Sequence, residues 1–204
     1  LGSILLWLGA WMAWQTHLDS ELLEQFNASS MFISLRPVFV LYYEWGLFFF
    51  YVPFIALLGY GMYAKRQLFR LVGLAYLCAQ VFGTLLLVEI IKAGCGRPRP
   101  HAAAAHDVLC PAPSLVHAFN SFPSEHAADV AVGAMFVLLL LRSRVAAMLA
   151  LTAALLMGLS RIAIGQHYLS DVLAGFALGV AIAGIVMRVY LLPRWRKIET
   201  TATQ

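Results

Sequence analysis

The feature that most constrains the fold is a series of apolar stretches, each about as long as a bilayer-spanning helix. Residues 45–64 carry no charged side chain, and residues 71–91 carry only Glu89. A helix needs about 20 mostly apolar residues to cross the hydrocarbon core of a membrane. Hydrophobic residues make up 62% of the chain and charged residues only 12%, which leaves too little polar surface for a globule in water. The chain is therefore predicted to be an integral membrane protein.

Six such stretches predict an all-α bundle of six transmembrane helices, at residues 1–14, 45–64, 71–91, 124–141, 145–164 and 168–187. The runs are continuous rather than alternating, which favours helices over a β-barrel. The first stretch is short and the chain begins with Leu, so we interpret it as the later part of a truncated first span. The core of a signal peptide is the alternative. No repeat or linker divides the chain, which predicts a single membrane-embedded domain over residues 1–204.

The distribution of Lys and Arg predicts the orientation of this bundle. Basic residues follow the second, fourth and sixth stretches: Lys65, Arg66, Arg70, Arg142, Arg144, Arg188, Arg194, Arg196 and Lys197. With six spans these segments share one side, and the positive-inside rule makes that side cytoplasmic. Membrane loops then account for the net charge of +4, with no nucleic acid as a partner.

Three short segments carry chemistry at the predicted outer ends of spans three to six: residues 92–100, 122–126 and 160–171. Lys92, Arg99 and Arg161 supply cations that suit a phosphate group, whose oxygens accept charge-assisted hydrogen bonds. Ser124 precedes an apolar run and is predicted to cap a helix, whose free N–H groups would also attract an anion.

Two histidines and a carboxylate accompany these cations. His167 and Asp171 are four residues apart and share one face of a helix, so Asp171 can hold one ring nitrogen protonated and leave the other as a lone pair. His126 has no such partner and is available as a general acid. Structural roles remain open: membrane anchors for Lys92 and Arg161, a simple cap for Ser124, and a structural or metal-binding His–Asp pair. A metal is disfavoured because no third His or Cys lies at ligand spacing and three cations would repel it.

Together the segments resemble the type-2 phosphatidic acid phosphatase superfamily, with its pattern K-x6-R-P, P-S-G-H and S-R-x5-H-x3-D. The matching positions are Lys92, Arg99, Pro100, Pro123, Ser124, His126, Ser160, Arg161, His167 and Asp171. The resemblance implies a metal-independent lipid phosphatase without a cofactor, in which His167 forms a phosphohistidine and Asp171 orients it. It further implies that His126 protonates the leaving oxygen. The residues implied to bind phosphate are Lys92, Arg99, Ser124 and Arg161.

The family resemblance leaves the reaction partner and the substrate open. Transfer of the phosphoryl group to a second lipid is the alternative to hydrolysis, whereas a silent lipid-binding protein is disfavoured because no motif residue is lost. Glu125 replaces the family's glycine, which resembles the undecaprenyl-diphosphate phosphatase branch and favours a polyprenyl diphosphate. Phosphatidylglycerol phosphate, phosphatidic acid and a lipid A phosphate are the alternatives. A compact chain with short loops favours a bacterial inner membrane, with the site facing the periplasm.

Five further positions carry specific expectations. Glu125 is predicted to lie at the pocket mouth and tune the head group, and Asp129 to support His126, with a structural pair to Lys92 as the alternative. Arg97, in the spacer of the first motif, is expected to matter much less than Arg99. Cys95 and Cys110 share the outer loop, where a disulfide and two free thiols are both open.

Overall fold

The computed structural model describes residues 2–102, 108–141 and 143–202, and within these ranges the long regular elements are all helices. Leu1 and Arg142, which the sequence analysis uses, lie outside the described residues. The α-helices are α1 (Gly2–Gln15), α2 (Leu18–Ala28), α3 (Ser30–Trp45), α4 (Phe48–Tyr63), α5 (Gln67–Cys78), α6 (Glu89–Cys95), α7 (Glu125–Leu140), α8 (Arg144–Ala163), α9 (Leu169–Val186) and α10 (Leu192–Ala202). Two π-helical segments, Ala79–Val88 and Met187–Leu191, join α5 to α6 and α9 to α10, and His117–Phe119 forms a 3₁₀ turn.

In the described part of the chain, four continuous helical runs are long and apolar enough to cross a membrane: Ser30–Tyr63, Gln67–Cys95, Arg144–Ala163 and Leu169–Ile198. They contain nearly all of the predicted second, third, fifth and sixth spans. The predicted first and fourth spans correspond to α1, with 14 residues, and α7, with 16 residues, which are shorter than the roughly 17–25 residues of a typical span. The all-helical architecture is confirmed for the described residues, whereas six spans remain a prediction.

Helix α3, like α2, is not predicted from the sequence. Arg36, Pro37 and Glu44 interrupt its apolar pattern, and none of its residues is buried, so the sequence lacks the one-sided pattern that normally marks a packed helix. In the structure α3 continues through Gly46 into α4 as one run of 34 residues. This run brings Arg36 and Tyr43 to the same end of the bundle as the three motif segments.

Helix α7 lies at the centre of the bundle and packs most closely against α9. Gly175 and Gly179 of α9 permit this approach. A Cβ atom on Gly175 would lie 2.3 Å from the carbonyl oxygen of Ser124, and one on Gly179 would lie 2.3 Å from that of Ala128. Small residues one helical turn apart are a common device for close helix packing in membranes. The Ser124 N–H also donates to the Asp171 carbonyl oxygen at 3.0 Å. The starts of α7 and α9 are therefore fixed side by side.

A tight turn after α6 directs the first motif across this end of the bundle. Gly96 has φ +61°, and a Cβ there would lie 1.7 Å from the Ala112 carbonyl oxygen, so the turn requires glycine. A disulfide between Cys95 and Cys110 closes the loop. At the far end of the Gln67–Cys95 run, Arg70 and basic residues of α10 line a separate cleft. The motif segments and this basic cleft thus lie at opposite ends of the same long helix.

Candidate active site

The three motif segments converge on a cavity of about 420 Å³ at the end of the bundle where α6 and α8 stop and α7 and α9 start. Its walls are formed by Arg36, Val40, Tyr43, Glu89, Lys92, Arg99, His117, Asn120, Glu125, His126, Arg161, Ile164, Gln166 and His167. Ser124 and Asp171 are fully buried and do not line the cavity. They lie next to the lining residues Glu125 and His167, respectively. All the residues predicted from the three motifs are therefore brought together.

His167 precedes α9 and is held by its Nδ1 atom. This atom lies 2.8 Å from the Ser121 carbonyl oxygen and 3.5 Å from Asp171 Oδ2, so the main-chain oxygen, rather than the expected carboxylate, is its nearest acceptor. A proton on Nδ1 leaves Nε2 as a lone pair. Burial, reinforced by the nearby Arg161 cation, lowers the pKa of His167 to about 3 although Asp171 acts in the opposite direction. The ring is therefore neutral at physiological pH, as a nucleophile must be.

The Asp171 carboxylate is held on both oxygens. Oδ2 accepts hydrogen bonds from Ser121 Oγ at 2.5 Å and from the Tyr168 N–H at 2.9 Å, the latter closing the first turn of α9. Oδ1 accepts from Arg97. The orientation of Asp171 beside His167 is thus set by three different segments of the chain.

Arg161 and Ser124 present donors that nothing in the described chain satisfies. Arg161 Nε and Nη1 and Ser124 Oγ are buried without a hydrogen-bond partner among the described residues. The guanidinium of Arg161 stacks on Tyr43, 4.3 Å from the ring centre. Ser124 occupies the N-cap position of α7 as predicted, but its hydroxyl makes no capping bond. Buried donors of this kind are rare in proteins and call for an acceptor.

Arg99 lines the cavity and also ties its rim together. Its Nε donates to the His117 carbonyl oxygen at 3.0 Å, and its Nη1 donates to the main chain and side chain of Gln166 at 3.2 and 3.1 Å. Burial lowers the pKa of Arg99, while guanidinium groups still remain protonated in proteins. The positive charge is therefore fixed in the wall by the loops around it.

Lys92 is buried in the wall and forms ion pairs with two carboxylates. A lysine that anchors a helix in the membrane would instead extend its ammonium group to the water at the interface. The Nζ atom of Lys92 lies 2.5 Å from Glu89 Oε1 and 2.8 Å from Glu125 Oε2. Glu125 lines the cavity with a side chain that is 28% exposed, and its role in selecting the head group stays a prediction. The predicted phosphate-binding lysine thus shares its charge with an acidic pair.

Asp129 is not placed as the sequence analysis expects. Lys92 is bound to the two glutamates instead, and Asp129 lines a separate cavity together with Tyr51 and Thr84. The ring of His126 packs on Tyr43 at 5.0 Å between centroids. The prediction that Asp129 supports His126 is therefore corrected. The Asp129 side chain faces a cavity lined by α4, α5 and the Ala79–Val88 segment instead.

Several residues of the site were missed from the sequence. Arg36, Val40 and Tyr43 come from the unpredicted α3, His117 and Asn120 come from a segment without a motif, and Gln166 lies in the spacer of the third motif. The sequence did hold two signals: Glu89 is the lone charge in its apolar run, and Arg36 interrupts another. Charged side chains inside such runs are costly and usually functional.

Among the described residues, no group of three or more His, Cys, Asp or Glu side chains is placed to hold a metal ion. Independence from metal remains a prediction, to be tested with a chelator.

Comparison with known proteins gives consistent matches. The family profile of the PAP2 superfamily matches residues 73–195. Lipid A 1-phosphatase from Rhizobium johnstonii (strain DSM 114642 / LMG 32736 / 3841) is 41% identical over 107 residues, which are 52% of this chain and 43% of the relative. Phosphatidylglycerophosphatase B from Bacillus subtilis (strain 168) is 34% identical over 148 residues, which are 67% of this chain and 66% of the relative. The chain therefore spans less than half the length of the lipid A 1-phosphatase that it matches.

Two crystal structures share the fold. A transmembrane PAP2-type phosphatidylglycerolphosphate phosphatase from Bacillus subtilis superposes with a TM-score of 0.66 at 24% identity, covering 91% of this chain and 94% of the other. LpxE from Aquifex aeolicus superposes with a TM-score of 0.59 at 25% identity, covering 84% and 95%. The apolar helical runs and these membrane folds together identify an integral membrane protein.

Proposed function

The chain belongs to the PAP2 superfamily, and on this premise we propose that it is a metal-independent phosphatase that hydrolyses a phosphate monoester of a membrane lipid. One observation carries the proposal: Arg161, in the cavity wall, has Nε and Nη1 buried without a partner among the described residues, and the buried Ser124 Oγ behind the wall lacks one as well. A phosphate group offers the acceptor oxygens that these donors lack, and arginine binds it with two parallel hydrogen bonds.

The reaction has two steps on this geometry. His167 Nε2 attacks phosphorus and the bond from phosphorus to the lipid oxygen breaks, while His126 donates a proton to that oxygen. Water then attacks the phosphohistidine and gives a proton to the deprotonated His126, the P–N bond breaks, and inorganic phosphate leaves. Fixed cations in the wall stabilise the charge on the transferred phosphoryl group, which is the main catalytic demand of this chemistry.

The charge balance of the cavity favours a monoester. Four cationic side chains line it, those of Arg36, Lys92, Arg99 and Arg161, against the two carboxylates of Glu89 and Glu125. The excess of two positive charges matches the roughly −1.5 to −2 charge of a phosphate monoester at neutral pH. A diphosphate has more negative charge than this excess can balance, and the carboxylates of Glu89 and Glu125 beside Lys92 would repel it. Lipid A 1-phosphate and phosphatidylglycerol phosphate, the substrates in the relatives' names, are both monoesters.

A polyprenyl diphosphate is the second candidate, because Glu125 stands in place of the family's glycine. We further propose that the protein lies in a bacterial inner membrane with the cavity facing the periplasm. The basic residues of α10 and of the turn between α4 and α5, at the other end of the bundle, support this orientation.

The test is a panel of lipid phosphates given to the purified protein in detergent with EDTA present. The panel contains phosphatidylglycerol phosphate, lipid A, phosphatidic acid and undecaprenyl diphosphate, each with and without diacylglycerol as an acceptor. We expect phosphate release from a monoester, inhibition by vanadate, and no effect of EDTA.

Phosphate release from none of the lipids would overturn the enzymatic proposal. A preference for the diphosphate would overturn the charge argument, and product formation only with the acceptor would indicate a phosphotransferase. Glu125→Gly separates the candidates further, because it should alter the ratio of diphosphate to monoester turnover. Glu24→Gly, an exposed change on α2, is the control.

A further inference from the structure

A buried ion network lies behind the nucleophile, outside the cavity that holds the substrate. At its centre is Arg97, which is only 2% exposed. Its Nη2 donates to Asp19 Oδ2 at 2.9 Å, and its Nη1 donates to Ser170 Oγ at 2.7 Å and to Asp171 Oδ1. Its guanidinium also stacks on Tyr168, 4.3 Å from the ring centre. Arg97, which was expected from its place in the motif spacer to matter little, therefore joins α2 to the start of α9.

Arg97 is the cation that compensates the Asp171 charge. Asp171 is fully buried, and among the described residues Arg97 is the one lysine or arginine that forms an ion pair with it. A buried carboxylate is costly without such a partner, and removing one member of a buried pair is strongly destabilising. The other Asp171 oxygen lies 3.5 Å from His167 Nδ1. The ion pair thus fixes the carboxylate beside the proposed nucleophile.

Asp19 holds the other side of Arg97 and the first turn of α9. Its Oδ1 accepts the Ser170 N–H at 2.8 Å, and its Oδ2 accepts from Ser170 Oγ as well as from Arg97. Asp19 is buried although it lies on the otherwise mostly exposed α2. It also lies outside residues 73–195, the region that matches the family.

We propose that Arg97 and Asp19 are positioning residues of the active site: Arg97 holds Asp171 ionised and directed at His167, and Asp19 holds Arg97. This inference rests on the proposed phosphatase function. Neither residue lines the substrate cavity, so both act through Asp171. The N-terminal helix α2 is on this view part of the catalytic apparatus and not only a surface helix.

The structure also offers a way to restore what a mutation removes. Arg97 and Asp19 line a separate cavity of about 460 Å³ on the side of α1 and α2, with Trp14, His17 and Tyr168 among its other walls. A free guanidinium ion could reach the place of the Arg97 side chain through this cavity without passing through the substrate site. Guanidinium would restore no activity if the Arg97 side chain only filled space.

The test measures hydrolysis of a soluble aryl phosphate by the full chain in detergent. We expect Arg97→Ala to lower kcat by about 10²-fold, the usual effect of misplacing a catalytic group, with KM changed less than threefold. Guanidinium chloride at non-denaturing concentration should restore part of kcat. Arg66→Ala, an exposed arginine at the other end of the bundle, should keep full activity and show no response to guanidinium.

Asp19→Asn is the second variant, since it keeps the size of the side chain and removes its charge. We expect it to lower kcat with little change in KM, whereas Glu21→Gln, exposed on the same helix, should have no effect. Wild-type kcat in Asp19→Asn and Arg97→Ala, or losses that appear in KM instead, would overturn the positioning role alone. Loss of kcat without rescue by guanidinium would reduce Arg97 to a structural residue. An inactive wild-type protein would overturn the proposed function itself.

Discussion

His167 and Arg161 show what burial does to two different side chains of one cavity. Burial lowers the pKa of His167 to about 3 and makes it a neutral base, whereas a guanidinium remains charged and keeps donors available. A neutral nucleophile facing a cationic wall is the combination that attack on a phosphate dianion requires.

The lowered pKa of His167 predicts how stability depends on pH. In the unfolded chain a histidine binds its proton below about pH 6.5, but folded His167 does not do so until about pH 3. Acid therefore favours the unfolded state, and at pH 5 this effect amounts to about 2 kcal/mol. We expect the apparent Tm to fall less between pH 7 and pH 5 in His167→Gln than in wild type. Equal falls would show that His167 is protonated in the folded protein.

The two histidines should respond differently to the leaving group. A general acid contributes about 10²–10⁴-fold when the leaving oxygen is basic. We expect His126→Ala to lose this factor on lipid substrates and to recover partly with an aryl phosphate, whereas His167→Ala stays inactive on both. Recovery of His167→Ala instead would mean that the two roles are assigned the wrong way round.

At the scale of elements, the sequence was most informative where the chemistry sits at helix ends. Lys92, Ser124, Arg161 and His167 could be located because short motifs flank apolar runs, and the ends of such runs meet at a membrane surface. Helix α3 could not be located because it buries no residue. The pair of Asp19 and Arg97 spans 78 residues, and no local pattern encodes a contact over that distance.

The close crossing of α7 and α9 predicts a sensitive glycine. A methyl group at Gly175 would meet the Ser124 carbonyl oxygen, whereas one at Gly184 would meet nothing within 4 Å. Overpacking of this kind typically costs about 1–3 kcal/mol. We expect Gly175→Ala to lower both the apparent Tm and kcat, because Ser124 and His126 move with the start of α7. Gly184→Ala is the control and should do neither; identical behaviour of the two variants would contradict this account.

The loop that carries Arg97 and Arg99 is closed by the Cys95–Cys110 disulfide. Maleimide added to the denatured, unreduced protein should label Cys78, the free cysteine of the described chain, and leave the other two unlabelled until reduction. The two cysteines are 15 positions apart in the sequence, so the link is worth about 3 kcal/mol in the chain-entropy model, and reduction should lower the apparent Tm. Mass spectrometry that finds three labels without reduction would exclude the disulfide.

For the whole molecule, the sequence predicted a membrane protein from its low content of charged residues, and helical spans from its continuous apolar runs. It could not predict how many helices cross. The Ser30–Tyr63 run contains a predicted span together with α3, and α7 is shorter than a typical span. The hydropathy of a single segment does not report where a helix begins and ends.

The Ser30–Tyr63 run has a consequence for the bilayer itself. Its 34 residues extend about 50 Å at the rise of an α-helix, against about 30 Å of hydrocarbon, so the helix must tilt or protrude. Hydrophobic mismatch then couples membrane thickness to the height of Arg36 and Tyr43 at the cavity. In proteoliposomes made from 14-, 18- and 22-carbon lecithins, KM should change with thickness for a lipid phosphate and for a soluble aryl phosphate alike, because both bind beside these side chains; the same KM in all three membranes would contradict the coupling. The substrate affinity of such a protein would then depend on the thickness of the membrane around it.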